Sequence, residues 1–84
     1  MRNPEFQIRL YPNPVRDELW ISLHELHTNS LITVTIFDVY GKKILEALLD
    51  DDLLKIQTSA LSKGLYFVEV ASGKESYRTK FVKQ

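Results

Sequence analysis

Cysteine is missing altogether from the 84 residues. Its absence excludes a disulfide framework, a structural zinc held by thiolates, and thiol catalysis. The compartment stays open on that ground, because a small secreted domain often uses disulfides without requiring them. Glycine is scarce. With only 3, at positions 41, 64 and 73, the chain has no glycine-rich loop to cradle a phosphate. It also lacks the Gly-x-Ser-x-Gly stretch that would expose a nucleophilic serine. Neither sign of charge is in excess, with 11 basic and 11 acidic side chains, so no basic face for nucleic acid is suggested. No apolar run approaches the ~20 residues of a membrane-spanning helix. Met1 is not followed by the charged and then apolar stretch of a secretory leader. Two settings fit these absences, a cytosolic domain or a piece of a longer chain. Proline is as rare as glycine, yet two of the 3, Pro12 and Pro14, flank a single asparagine.

What is present is a packing sequence, with 44% hydrophobic residues, rather than a disordered one. The length fits one small domain, which should bury roughly 60–65% of its unfolded surface. The opening "MRNPEF" has no periodicity, so residues 1–7 read as a linker or an artificially appended segment and residues 8–84 as the domain. Within it, "FQIRLY" (6–11) and "ELWISLH" (18–24) alternate, the latter with Leu19, Ile21 and Leu23 together and Trp20 opposite, as half-buried strands do. "LITVTIFDV" (31–39) is rich in β-branched residues, with Ile32, Val34 and Ile36 on one face. "HTNS" (27–30) and Gly41 mark turns.

Residues 42–49 fit two readings. Ile44, Leu45, Leu48 and Leu49 recur at helical spacing around good helix formers. Lys43, Leu45, Ala47 and Leu49 also fit a period of two, and a strand is favoured because it needs no new architecture. Asp50–Asp52 then form a hairpin tip before a short strand at 53–58, and "SALSKG" (59–64) is a connection. "LYFVEVAS" (65–72) carries a Tyr66, Val68, Val70 row, and "ESYRTKFVK" (75–83) carries a Tyr77, Thr79, Phe81 row. Seven short strands with turn signals every 8–12 residues are the pattern of an antiparallel β-sandwich.

Candidates for chemistry are weak beside their plain readings. His24 and His27 are spaced by three but have no third ligand nearby, so loop histidines are the default. The Asp50–Asp52 run lacks the glycine and alternating oxygens of a calcium loop. Asp17, Glu18 and Asp38 have no spacing that pairs them for acid–base work. Trp20, Tyr40, Tyr66, Phe67 and Tyr77 suggest a sugar-stacking platform, although packing explains such residues more often. The chain reads as a non-enzyme with no metal and no cofactor.

Several stretches together resemble one family. "LYPNPVRDELWI", "VTIFDVYGKKI" (34–44), "LSKGLYFVEV" (61–70) and "YRTKFVKQ" (77–84) are similar, in order and spacing over residues 8–84, to the C-terminal sorting domain (type A) of the type IX (Por) secretion system of Bacteroidetes. The resemblance implies a seven-stranded antiparallel immunoglobulin-like β-sandwich, which also favours the strand at 42–49. It implies an address rather than an activity. The cargo would be exported to the periplasm, recognised by the outer-membrane type IX translocon, and in many cases cut by a sortase-like cysteine peptidase and attached at the cell surface. Matched to the family motifs are Pro12, Asn13 and Pro14; Gly41 and Lys42; Gly64, Tyr66 and Val70; and Lys80, Val82 and Lys83. Each also has a structural reading, since prolines end strands, Gly64 supplies a turn and Tyr66 fills a core. Lys80 and Lys83 are expected to be exposed and open to recognition. Phe81 stands where the family often has a smaller aliphatic residue. A last strand left at a sheet edge would offer backbone groups for strand addition. The rival readings are an adhesion or glycan-binding sandwich appended to a secreted enzyme, and a dimerisation or chaperone-like accessory domain.

Overall fold

The computed structural model describes residues 7–24, 31–49, 53–73 and 75–84. Its seven strands are β1 (Gln7–Tyr11), β2 (Glu18–His24), β3 (Ile32–Phe37), β4 (Lys43–Leu49), β5 (Leu53–Gln57), β6 (Gly64–Ser72) and β7 (Glu75–Lys83). They form a three-stranded sheet in the order β1-β2-β5 and a four-stranded sheet in the order β4-β3-β6-β7. Every strand pair is antiparallel. This is the expected immunoglobulin-like sandwich. Its fourth strand lies in the larger sheet beside β3, whereas the constant-type arrangement places the fourth strand with the first, second and fifth.

Alternation builds the core. Leu19, Ile21 and Leu23 of β2 face Ile32, Val34 and Ile36 of β3 and Tyr66, Val68 and Val70 of β6, all buried, while the residues alternating with them face the outside of each sheet. Residues 42–49 are a strand paired along β3. The leucines that gave the helical spacing are divided between its two faces: Leu49 is buried and Leu48 is 59% exposed. The register shifts between Ile36 and Phe37, so that Ile36 opposes Leu45 and Phe37 opposes Lys43. Ile44 is thus the extra residue of a bulge, which takes Lys43 out of the inward row.

Two strands end earlier than alternation predicts, at Phe37 and Gln57. Asp38 leaves the ladder because its carboxylate organises the next turn, and Thr58 because it turns inward to bond residues 16 and 17. The His27 turn, the Asp50–Asp52 tip, Phe6 and Lys74 lie outside the described residues.

Candidate functional site

Residues 12–17 connect β1 to β2 as a strap across one end of the sandwich. Pro12 and Pro14 have no N–H to donate, and the peptide bonds before both are cis. Between them, the Oδ1 of Asn13 accepts a hydrogen bond of 3.0 Å from the N–H of Val82. Val15 then donates its own N–H to Val82 O and accepts the N–H of Gln84, each at 2.8 Å. This makes a single parallel bridge to Lys83. The Val15 side chain is fully buried, 0% exposed. The strap is tied from below by Thr58, which donates its N–H to Asp17 O at 2.8 Å and its hydroxyl to Arg16 O at 3.2 Å. Asn13 and Val82 are 69 residues apart in sequence, so the two ends of the domain are clasped together.

The clasp also fixes which way the main chain of β7 points. Backbone groups alternate between the two edges of a strand. Since Val82 bonds to the strap, it and the other even positions, Ser76, Arg78 and Lys80, turn N–H and C=O away from β6. The odd positions carry the ladder to β6, pairing Phe81 with Tyr66 and Lys83 with Gly64. β7 is an edge strand, as expected, but its last residues are covered.

The same alternation corrects the expectation for Lys83. It shares the inward parity of Phe81 and is only 8% exposed. Its Nζ donates 3.1 Å to the Gln84 carbonyl, at the rim of an open hollow lined by Arg16, Asp17, Lys63 and Gln84. Lys80 has the opposite parity and is exposed. Val82, 42% exposed, lies on the same outer face.

Tyr66 and Phe81 are directly opposed and stacked, with ring centroids 5.4 Å apart and planes 16° from parallel. Phe81 is completely buried, which places the aromatic face of the last strand in the core. The Tyr66 hydroxyl donates 2.7 Å to Ser62 O, so a large ring is buried without stranding its polar tip. Gly64 opens β6 at φ +147°, a conformation strained for any residue with a side chain, although a Cβ there would meet nothing within 4 Å.

The central motif is a built turn. Asp38 Oδ1 accepts the N–H groups of Tyr40 and Lys42, both at 2.9 Å, and its main chain bonds Gly41 and Lys42 at 3.0 Å. Gly41 closes the turn at φ +83°. The register runs Phe37 to Phe67 to Lys80 across three strands, so this turn, the strap, the start of β6 and the end of β7 share one end of the sandwich. Of the motif residues, Val70 alone lies elsewhere: it is in the core opposite Val34 and Tyr77.

On the outer face near that end, Arg78 lies 3.6 Å from Glu69 and its guanidinium is 5.6 Å from the Phe37 ring centroid. The five aromatics suggested as a sugar platform do not share a face. Tyr66 is in the core, and Tyr40 stands out from the turn, 91% exposed. Trp20 lies outside the smaller sheet under Lys55, whose Nζ is 5.6 Å from the ring centroid. Phe67 lies outside the larger sheet. Sequence reasoning missed Val15, Thr58 and the turn-forming role of Asp38. One signal was available for Val15, a β-branched apolar residue placed alone in the polar run Pro14–Asp17.

The family described as secretion system C-terminal sorting domain matches residues 9–84. The chain belongs to this family. The sorting domain is a signal for type IX secretion that engages the secretion machinery, and a protein carrying it is secreted, to the cell surface or the medium. Domains of this sorting family are not typically catalytic. No curated protein matches the chain. Among solved structures, PorZ, an essential bacterial surface component of the type-IX secretion system of Porphyromonas gingivalis, superposes with a TM-score of 0.76 at 23% identity. The match covers 92% of this chain and 11% of PorZ, and it establishes the sandwich fold.

Proposed function

We propose that the outer-membrane translocon of the type IX system reads residues 8–84 as a folded object, at the end where the strap closes on β7. The observation that carries this reading is the clasp itself: Asn13 and Val15 bond the main chain of Val82 and Gln84, joining the first and last motif segments into one surface. The cargo passes through the periplasm. After translocation, a sortase-like cysteine peptidase removes the domain and joins the new C-terminus to an anionic lipopolysaccharide. Pro12, Asn13, Pro14, Gly41, Lys42, Gly64, Lys80 and Val82 frame the surface that is read. Tyr66, Val70 and Lys83 act beneath it, through the fold. The domain performs no chemistry of its own.

A periplasmic reporter fused ahead of residues 8–84 tests the address. In a type IX-competent host we expect the reporter at the cell surface or in the medium, and in an isogenic host without the translocon we expect it in the periplasm. Retention of the fusion in the competent host refutes the address.

A further inference from the structure

Resting on the reading above, we propose that the docking edge of β7 is the short stretch Ser76–Lys80, and that its partner is an extended acidic segment of the secretion machinery that adds to β7 as a fifth strand. Three observations define the stretch. The even positions of β7 turn their main chain away from β6. At Val82 and Gln84 those groups are already taken, by Asn13 Oδ1 and by Val15. At Ser76, Arg78 and Lys80 they have no backbone partner among the described residues. The strap therefore works as an end-stop: an incoming strand pairs up to Lys80 and meets Asn13, beyond which Pro14 offers no N–H with which to continue a ladder.

The charge of the stretch selects the partner. Arg78 and Lys80 project on the outer face at consecutive outward positions, and cross-strand pairs favour opposite charges and penalise like ones. Among the described residues, the acidic neighbour held to Arg78 is Glu69, at 3.6 Å, and the Arg78 side chain is still 60% exposed, so that pair is weak and exchangeable. Cationic side chains on an edge discourage pairing with a second copy of the same edge. Here they leave one kind of occupant favoured, a strand with carboxylates at alternate positions.

Proline provides a clean test, because a proline whose N–H would face outward on an edge strand leaves the inner ladder intact. In the reporter fusion, Lys80→Pro should cut the exported fraction at least tenfold while the purified chain keeps its cooperative melt. Lys80→Glu should reduce export similarly, and Lys80→Arg should export as wild type. In parallel, the ¹⁵N-labelled 84-residue chain is titrated with a capped peptide of alternating valine and glutamate, and with its valine–lysine counterpart. The glutamate peptide should shift the amides of Ser76, Arg78 and Lys80 and leave Val82 and Gln84 in place; the lysine peptide should shift none. Wild-type export by a folded Lys80→Pro chain overturns the proposal, as does equal binding or no binding of the two peptides. If Lys80→Pro fails to fold, the titration of the wild-type chain decides. Retention of the unsubstituted fusion refutes the sorting reading instead, so the two failures are separable.

Discussion

Replacing Phe81 with alanine should lower the thermal midpoint of the sorting domain by more than about 12 °C, because it empties the centre of the core. Phe81 has no exposed surface and stacks on Tyr66 across the β6–β7 pair. Truncating a buried phenylalanine costs about 3–5 kcal/mol, in lost transfer energy and in the cavity left behind. A domain of 84 residues holds about 4–13 kcal/mol in all, at 0.05–0.15 kcal/mol per residue. At about 4–8 °C per kcal/mol for a domain of this size, the loss is plain in a circular-dichroism melt. Phe81→Leu keeps most of the volume and should cost less than half as much. The change also propagates. Val82 and Lys83 adjoin Phe81 and carry the bridge to Val15, so the clasp loosens with the core. A Phe81→Ala melt within a few degrees of wild type would show that the stack contributes little.

Removing residues 77–84 should abolish export, leaving the reporter as periplasmic as one with no sorting domain. The truncation takes Phe81 out of the core, uncovers Tyr66, and strips Asn13 and Val15 of their partners at Val82 and Gln84. It also deletes most of the ladder to β6, a summed loss that exceeds the stability of a domain this small. Fractionation of cells followed by immunoblotting reads the outcome. Undiminished secretion of the truncated fusion would mean that neither the fold nor the β7 edge is the address. The Lys80→Pro variant separates these two causes, since it closes the edge without emptying the core.

Much of this domain was legible in its sequence, for definite reasons. Period-two alternation placed Leu19, Ile21 and Leu23, and Ile32, Val34 and Ile36, on core faces because each strand buries one side only, where a one-residue slip would expose the whole row. Residues 42–49 carried both periods. The strand forms because β3 offers a ladder along its full length, and tertiary pairing outweighs helix propensity. Lys83 was misjudged because residue type was weighed above parity: the row Tyr77, Thr79, Phe81 continues to position 83, and a lysine there can still reach polar partners from a buried stem. The strap was the least legible part. One bridging residue carries no periodicity, and a hydrogen bond spanning 69 positions leaves no local trace. The prolines of "YPNPV" announce a strand end and a family motif, whereas its asparagine and valine are the parts that grip. The central turn announces itself by Gly41, while nothing local in the sequence marks Asp38 as the carboxylate that shapes it.

Amide hydrogen exchange along β7 is the sharpest single measurement of whether the two ends of the domain form one closed surface with a short open edge. The amides of Val82 and Gln84, bonded to Asn13 Oδ1 and Val15 O, should be protected nearly as well as the core ladder. Those of Ser76, Arg78 and Lys80 should exchange orders of magnitude faster, although they lie on the same side of the same strand. Uniform exchange at all of these positions would mean that the clasp does not hold in solution, and that the address is not built in this way.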